Sequence, residues 1–269
     1  MKKFTLTFTI LSAVCALAYA GPEEYSGKEM KQVMPPPPPE CPNWCGFYIG
    51  AFGGYKIVDT DFDLNLGGTW DDDPIFADER DALEHFGNND VDADGGEVGG
   101  ILGFNFCLGH WLFGLEAAGG YLWARDSFVT DHFFVPLNGA EDHWSTSFKT
   151  HYLATVGPRF GYTCCRWMPY ITGGVAFGDV DWEQQDTEHD QFFRQGGDES
   201  ETLVGWFAGG GLEFALTNHW RLRGQYEYVD LGESDFNSHG EPAGAEGFTG
   251  HHEVELREHN ISFAIIYGF

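Results

Sequence analysis

Residues 201–216 read Glu-Thr-Leu-Val-Gly-Trp-Phe-Ala-Gly-Gly-Gly-Leu-Glu-Phe-Ala-Leu, and they alternate between two chemically different faces. Val204, Trp206, Ala208, Gly210, Leu212, Phe214 and Leu216 fall on one face; Gly205, Phe207, Gly209, Gly211, Glu213 and Ala215 fall on the other. Successive side chains of an extended chain point to opposite sides, so this period of two marks a strand with one apolar wall and one small or polar wall. After a short turn at Thr217-Asn218-His219 the pattern resumes, with Trp220, Leu222, Tyr226 and Tyr228 set against Arg221, Arg223, Gln225 and Glu227. The final run places Ile261, Phe263, Ile265, Tyr267 and Phe269 opposite Ser262, Ala264 and Gly268.

The same grammar extends upstream. Residues 47–57 form a first strand, 97–107 and 111–123 a hairpin around Leu108-Gly109-His110, and 149–163 and 168–179 a hairpin around Cys164-Cys165-Arg166. With 202–216, 220–231 and the closing run, the expectation is eight strands, with three tight turns at one end and four long connections at the other. That asymmetry belongs to outer-membrane barrels, whose periplasmic turns are short and outer loops long. The fold expected is therefore all-β: an eight-stranded antiparallel transmembrane β-barrel over 46–269, with short periplasmic turns and four long acidic extracellular loops. The apolar faces carry aromatics toward their ends (Phe104, Phe106, Trp111, Tyr121, Trp123, Tyr162, Trp220, Tyr228), as a lipid-facing wall does.

Charge supports the same division. The net charge is −28, and 35 of the 42 acidic residues lie in 59–97, 124–149, 179–201 and 230–258. A soluble acidic protein scatters its carboxylates over every element, whereas here the intervening stretches are apolar, Gly-rich and nearly free of acid. Such a chain repels polyanions, which excludes nucleic acid as a partner. No long uncharged apolar run follows residue 20, so a membrane location requires a closed barrel, in which every backbone polar group is paired. The rival fold is a lipocalin-type soluble barrel with its apolar face inside. Alternation alone does not say which face is inner; the aromatics at strand ends, the loop asymmetry and the charge balance of the minor face favour the membrane version. On that minor face Glu116, Glu213 and Glu227 stand against Arg159, Arg221 and Arg223. Buried charges must be paired, so these six are expected to form an interior salt-bridge network with no open pore.

The N-terminal region has its own character. Residues 1–20 read as a cleaved secretory signal: Lys2 and Lys3, an apolar stretch from Phe4 to Leu17, then Ala18-Tyr19-Ala20 before Gly21. Cys15 raises a lipoprotein reading, but Val14 is too bulky for the position before a lipidated cysteine. Residues 21–45 form a periplasmic arm with consecutive prolines from Pro35 to Pro39, a stiff polyproline spacer or a ligand for a partner.

Several segments resemble a known family, in order and spacing along 44–269: Trp44-Cys45-Gly46-Phe47-Tyr48-Ile49-Gly50; Leu153 to Tyr162 with Pro169-Tyr170-Ile171-Thr172-Gly173-Gly174; Gly209-Gly210-Gly211-Leu212-Glu213; Tyr226-Glu227-Tyr228-Val229-Asp230-Leu231-Gly232; and Tyr267-Gly268-Phe269. The chain resembles the small outer-membrane β-barrel surface proteins, the porin-family or opacity-type surface antigens. Cys45 departs from the family's usual Thr, and the Pro-rich arm and the acidity of the loops are also unusual. The resemblance implies a bacterial outer-membrane location and a structural, antigenic or adhesive role, with no catalytic residues and no cofactor. It also implies that Phe263, Ile265, Tyr267 and Phe269 are the signal read by the barrel-assembly machinery. The partners expected are outer-membrane lipid, lipopolysaccharide, that machinery, and a host or environmental ligand at the loops.

Cysteines and histidines supply the remaining candidates. Cys41, Cys45, Cys107, Cys164 and Cys165 all fall at the periplasmic end, where disulfides form. The candidate bonds join Cys41 or Cys45 to Cys107 or to the Cys164–Cys165 pair; an odd count leaves one thiol over, and connectivity stays open. A metal reading of Cys41-x3-Cys45 lacks matching second ligands. His85, His132, His143, His189, His239, His251, His252 and His259 lie among the carboxylates, which raises divalent-ion binding. Asp59-x-Asp61-x-Asp63 has the start of a calcium loop without its glycine and closing glutamate, so no metal site is assigned. Glu258, His259 and Ser262 come nearest to a hydrolytic set, but residues three apart in a strand face opposite ways. A diffusion porin needs about sixteen strands.

Overall fold

The computed structural model describes residues 41–269 apart from 73, 89, 130–132, 135–140, 189–195 and 240–246. The expected signal, 1–20, and positions 21–40 of the expected arm lie outside the described residues. Eight long strands follow one another: β1 (Gly46–Gly68), β2 (Asp90–Leu108), β3 (Trp111–Val129), β4 (Glu141–Tyr162), β5 (Trp167–Glu188), β6 (Gly196–Ala215), β7 (Trp220–His239) and β8 (Phe248–Gly268). Each pairs antiparallel with its chain neighbours, and β8 pairs with β1 to close the barrel. A two-residue strand, Phe133–Phe134, adds to the start of β4. Left-handed residues make two of the tight turns, Gly109 at φ 63° and Cys165 at φ 52°.

Facing follows the alternation. Trp206, Leu212, Leu222, Tyr226, Ile261, Phe263 and Ile265 are exposed on the outer wall, while Phe207, Glu213, Arg221 and Arg223 are buried within. Aromatics ring the wall at two heights: Trp111, Tyr162, Trp167 and Trp220 near the short turns, and Tyr55, Tyr121, Trp123, Tyr152 and Trp206 farther along.

The strands are longer than the apolar pattern suggested, and this corrects the expectation of long acidic loops. β1 has 23 residues. At about 3.3 Å per residue and a tilt of about 40° it rises roughly 58 Å, more than twice an apolar band of about 25 Å. Much of each acidic block is therefore strand standing above that band, although the first block also holds the helical connection between Gly68 and Asp90. Asp59-Thr-Asp-Phe-Asp-Leu-Asn-Leu66 shows why: Thr60, Phe62, Leu64 and Leu66 are buried, while Asp61 and Asp63 point outward. The alternation continues; only the solvent outside changes from lipid to water.

The lumen is filled in layers. At the short-turn end, Trp44 packs with Leu112, Met168, Tyr170 and Ala215. Its indole donates to the carbonyl of Cys165 (2.9 Å), and Asn105 donates to the Trp44 carbonyl (3.0 Å). A charged layer follows. Beyond it lies an apolar ring of Val58, Ala93, Leu122, Leu153, Ala176, Leu203, Phe207, Val229, Leu231 and Leu256, to which every one of the eight strands contributes.

Above this ring the wall divides. Among the described residues the β2–β3 ladder ends at Glu97/Leu122 and the β6–β7 ladder at Trp206/Asp230. The remaining six ladders run on, to Asp61/Asp90, Gly68/Phe248, His239/Thr249, Val129/Ser145, Asp142/Glu188 and Gln185/Gly196. The outer half is thus two four-stranded sheets, β2-β1-β8-β7 and β3-β4-β5-β6. Irregularities sit at this height: between Tyr121 and Ala124, between Lys149 and Leu153, and between Asp230 and Gly232. Asp179 accepts from the backbone N–H groups of His151 (3.1 Å) and Tyr152 (2.7 Å), taking up donors left over at the bulge.

Candidate functional site

The interior charged layer begins with two glycines. A Cβ on Gly103 would lie 2.3 Å from the Tyr48 ring, and one on Gly211 would lie 2.7 Å from the Tyr170 hydroxyl. Their bare backbones let two inward tyrosines lie across the lumen. Arg159 stacks 4.2 Å from the centroid of Tyr170 and donates to Tyr48 Oη (2.9 Å), Glu116 Oε2 (3.0 Å) and Glu213 Oε1 (2.6 Å). Arg223 donates to Glu116 Oε1 (2.7 Å) and Oε2 (2.6 Å), and to Glu213 Oε1 from Nε (3.0 Å) and Nη2 (2.8 Å). The Tyr48 hydroxyl donates to Glu116 Oε2 (2.5 Å). Arg221 stands 3.9 Å from Glu213, donates to the carbonyl of Asn43 and stacks on Trp44, joining this layer to the floor.

Five of the six charges expected together are thus brought together. Glu227 is not: it makes no salt bridge to a described residue and lies four positions beyond Arg223, about 13 Å along β7. A second buried cluster lies above, with Lys56 Nζ 2.9 Å from Glu258 and 3.5 Å from Glu97. Sequence reasoning missed it because Glu97 and Glu258 bound segments assigned to loops. The signal was the continuing alternation, with Lys56 facing inward as the single basic residue between 46 and 79.

At the floor, Cys45 and Cys107 form a disulfide with a Cα–Cα distance of 5.7 Å. Cys41 and Cys165 are each disulfide-bonded, and Cys164 is a thiol. Tyr267 and Phe269 of the expected assembly signal meet edge to face, and Phe263 and Ile265 are exposed on the outer wall.

The histidines diverge. His251 points outward to Asn237 (3.1 Å), whereas His252 points inward to Ser238 (2.8 Å between Nε2 and Oγ). His252 and Ser238 are 1% and 3% exposed, so this Ser–His pair is sealed from solvent. Burial first, then the neighbouring His251, lowers the His252 pKa to about 3. His259 faces outward to Tyr226 (2.8 Å), while Ser262 is on the opposite side of β8. His85 is exposed; His132 and His189 lie outside the described residues, as do the side chains of His143 and His239. Asp59, Asp61 and Asp63 form an outward column on a strand, not a calcium loop. Among the described residues no group of three or more His, Cys, Asp or Glu is arranged to hold a metal ion.

One connection folds back onto the rim. After a one-turn helix at Thr69–Asp72, helix α1 (Ala77–Gly87) lies beside β1. Glu84 accepts from Leu66 N–H (3.0 Å) and Asn88 from Leu64 N–H (2.6 Å). These side chains occupy the edge that β1 exposes beyond Asp61, where β2 no longer pairs with it.

A closed antiparallel barrel with an apolar outer wall, two aromatic girdles and a buried ionic interior defines a class, the transmembrane barrels of the bacterial outer membrane. The family model of the outer membrane protein β-barrel domain matches residues 32–269, and the chain belongs to that family. It is 33% identical over 201 residues to the 31 kDa outer-membrane immunogenic protein of Brucella melitensis biotype 1, covering 71% of this chain and 72% of that one. It is 27% identical over 195 residues to a 22 kDa outer membrane protein of Rhizobium leguminosarum bv. viciae, covering 72% and 68%. Among solved structures, the outer membrane protein OprG of Pseudomonas aeruginosa aligns at 16% identity and TM-score 0.40, over 84% of this chain and 97% of that chain. The protease OmpT of Escherichia coli aligns at 10% identity and TM-score 0.47, over 83% and 97%. The protein is a structural surface protein of the bacterial outer membrane.

Proposed function

We propose that this barrel is a non-conducting, non-enzymatic anchor that stiffens the envelope and displays an acidic, strand-built surface above the membrane. The observation that carries this reading is the filled lumen: a Trp44 floor, a buried ionic layer and an apolar ring drawn from all eight strands. Water and ions gain no passage through such layers, since an eight-stranded barrel is only wide enough for its own side chains. The Ser238–His252 pair supports the absence of hydrolysis, being shut away from any substrate.

Three partner classes follow from the surface. Lipid meets the apolar band. Lipopolysaccharide meets the aspartates just beyond the upper girdle, with divalent cations bridging its phosphates to Asp59 and Asp61. The assembly machinery meets the terminal strand at Phe263, Ile265, Tyr267 and Phe269. A further environmental ligand would meet the two outer sheets.

Planar bilayers test the central element. Purified protein should insert without producing conductance steps; stable ohmic steps would overturn the plugged reading. Lipid A recovered unmodified from expressing cells is the matching result for the absence of enzymatic activity, and a modified species would contradict it.

A further inference from the structure

The two sheets of the outer half leave strand edges open, and the protein treats them differently. On β1 the exposed N–H groups of Leu64 and Leu66 are taken by Asn88 and Glu84 of the folded-back connection. No comparable cap meets β7 above Asp230 among the described residues. There a bulge between Asp230 and Gly232 shifts the β7–β8 register by one, Gly232 adopts φ 77°, and Asp230 Oδ1 takes the Gly232 N–H (3.0 Å). The bulge ends pairing with β6, while pairing with β8 continues to His239/Thr249.

Backbone direction on that edge can be worked out. The N–H of Gly268 bonds to His219 of the β7 side and that of Phe269 to Phe47 of the β1 side. Even-numbered residues of β8 therefore face β7. Above the bulge their partners are residues 232, 234, 236 and 238, which leaves Glu233, Asp235 and Asn237 with their backbone turned to the gap. All three are exposed.

The charge of both banks has one sign. Segment 196–205 holds Asp198, Glu199 and Glu201, segment 230–239 holds Asp230, Glu233 and Asp235, and neither contains Lys or Arg. The other gap differs, since Arg125 lies on the β3 bank. An open edge is a template for a further strand, and main-chain bonds supply affinity whatever the sequence of the added chain. Like charges repel here, which disfavours both a second acidic copy and anionic polymers, whereas an alternating basic segment is attracted.

We infer that the open edge of β7 across residues 232–239 is a docking strand for an extended cationic peptide segment. This deepens the surface-display reading and rests on that end facing outward. The segment would run antiparallel to β7, bonded to the backbone of Glu233, Asp235 and Asn237 and flanked by the carboxylates of Glu233 and Asp235, over about eight residues or roughly 26 Å.

The test uses the full chain in detergent micelles, so its outcome does not depend on which way the protein faces in a cell. The probe is a fluorescent nine-residue peptide alternating Lys and Val, read by anisotropy. Two comparators are the same peptide N-methylated at alternate residues, with equal charge but lacking edge donors, and a Glu/Val peptide. Saturable binding of the Lys/Val peptide is expected, weakened at least tenfold by N-methylation and absent for Glu/Val. Asn237→Pro, which removes one N–H from the open edge, should weaken it comparably while the folded band persists on unheated gels. Equal binding of the methylated and plain peptides, or no saturable binding to folded wild-type protein, would overturn the inference. Surface labelling of intact cells tests the orientation separately.

Discussion

Replacing Glu213 with leucine removes the anion on which the interior layer turns. Glu213 is fully buried and accepts from Arg159 at 2.6 Å and from Arg223 at 2.8 and 3.0 Å. Without it, Arg159, Arg221 and Arg223 face Glu116 alone, in a space no water can reach to compensate. Breaking a buried ion pair by removing one partner costs about 3–5 kcal/mol, because a charge is left uncompensated. That is a factor of roughly 150 to 5,000 in the folding equilibrium. The assay is urea unfolding of the barrel refolded in micelles, followed by tryptophan fluorescence and by the folded band on unheated gels. A companion variant, Arg159→Met with Glu213→Leu, removes a cation together with the anion and leaves Arg223 paired with Glu116. It should recover at least half of the loss. A cost below about 1 kcal/mol for Glu213→Leu, or no recovery in the double variant, would refute the view that this layer is held by charge pairing.

Three further outcomes are expected. Cys45→Ser with Cys107→Ser opens a loop of 62 residues; chain entropy then puts the loss at about 4 kcal/mol, seen as a urea midpoint below that of the oxidised wild-type protein, and the fully reduced wild type, which loses the bonds of Cys41 and Cys165 as well, should fall lower still. Gly103→Val drives a side chain into the Tyr48 ring, since the Cβ alone would be 2.3 Å away; folding yield should collapse, whereas the outward Leu102→Val should be nearly silent. Burial holds the pKa of His252 at about 3 in the folded protein, against about 6.5 for an imidazole in water. The unfolded chain therefore takes up a proton below pH 6.5 that the folded chain refuses, so stability falls with acidification and levels off below about pH 3. The slope approaches about 1.4 kcal/mol per pH unit, and His252→Gln should be less sensitive than wild type between pH 6.5 and 4 in the same titration.

Much of this was legible in the residues. Alternation in 201–216 and 220–231 set both the strands and their facing, and Glu213, Arg221 and Arg223 could be placed in the lumen because the pleat leaves each residue only two directions. The outer half was less legible for a physical reason: carboxylates on an outward face look like loop in sequence, yet a strand that has left the membrane simply exchanges lipid-facing Ile57 for water-facing Asp61 and Asp63. The same feature conceals the Lys56 cluster, whereas Glu227 does share the lumen face of Arg223 and is set apart only by its height along β7. The division into two sheets had no sequence signature beyond Gly232, because it arises from where ladders stop, and that is a property of register. Disulfide connectivity was equally closed to inspection; Cys45 meets Cys107 because Gly46 pairs with Asn105 across β1 and β2.

The central claim, that the chain is a closed barrel seated in the outer membrane, is tested most directly by the gel mobility of membrane-extracted protein, heated and unheated in SDS. The barrel should resist SDS unheated, run as a compact band, and shift once boiled. An unchanged mobility, with the protein recovered from the soluble periplasmic fraction, would contradict it.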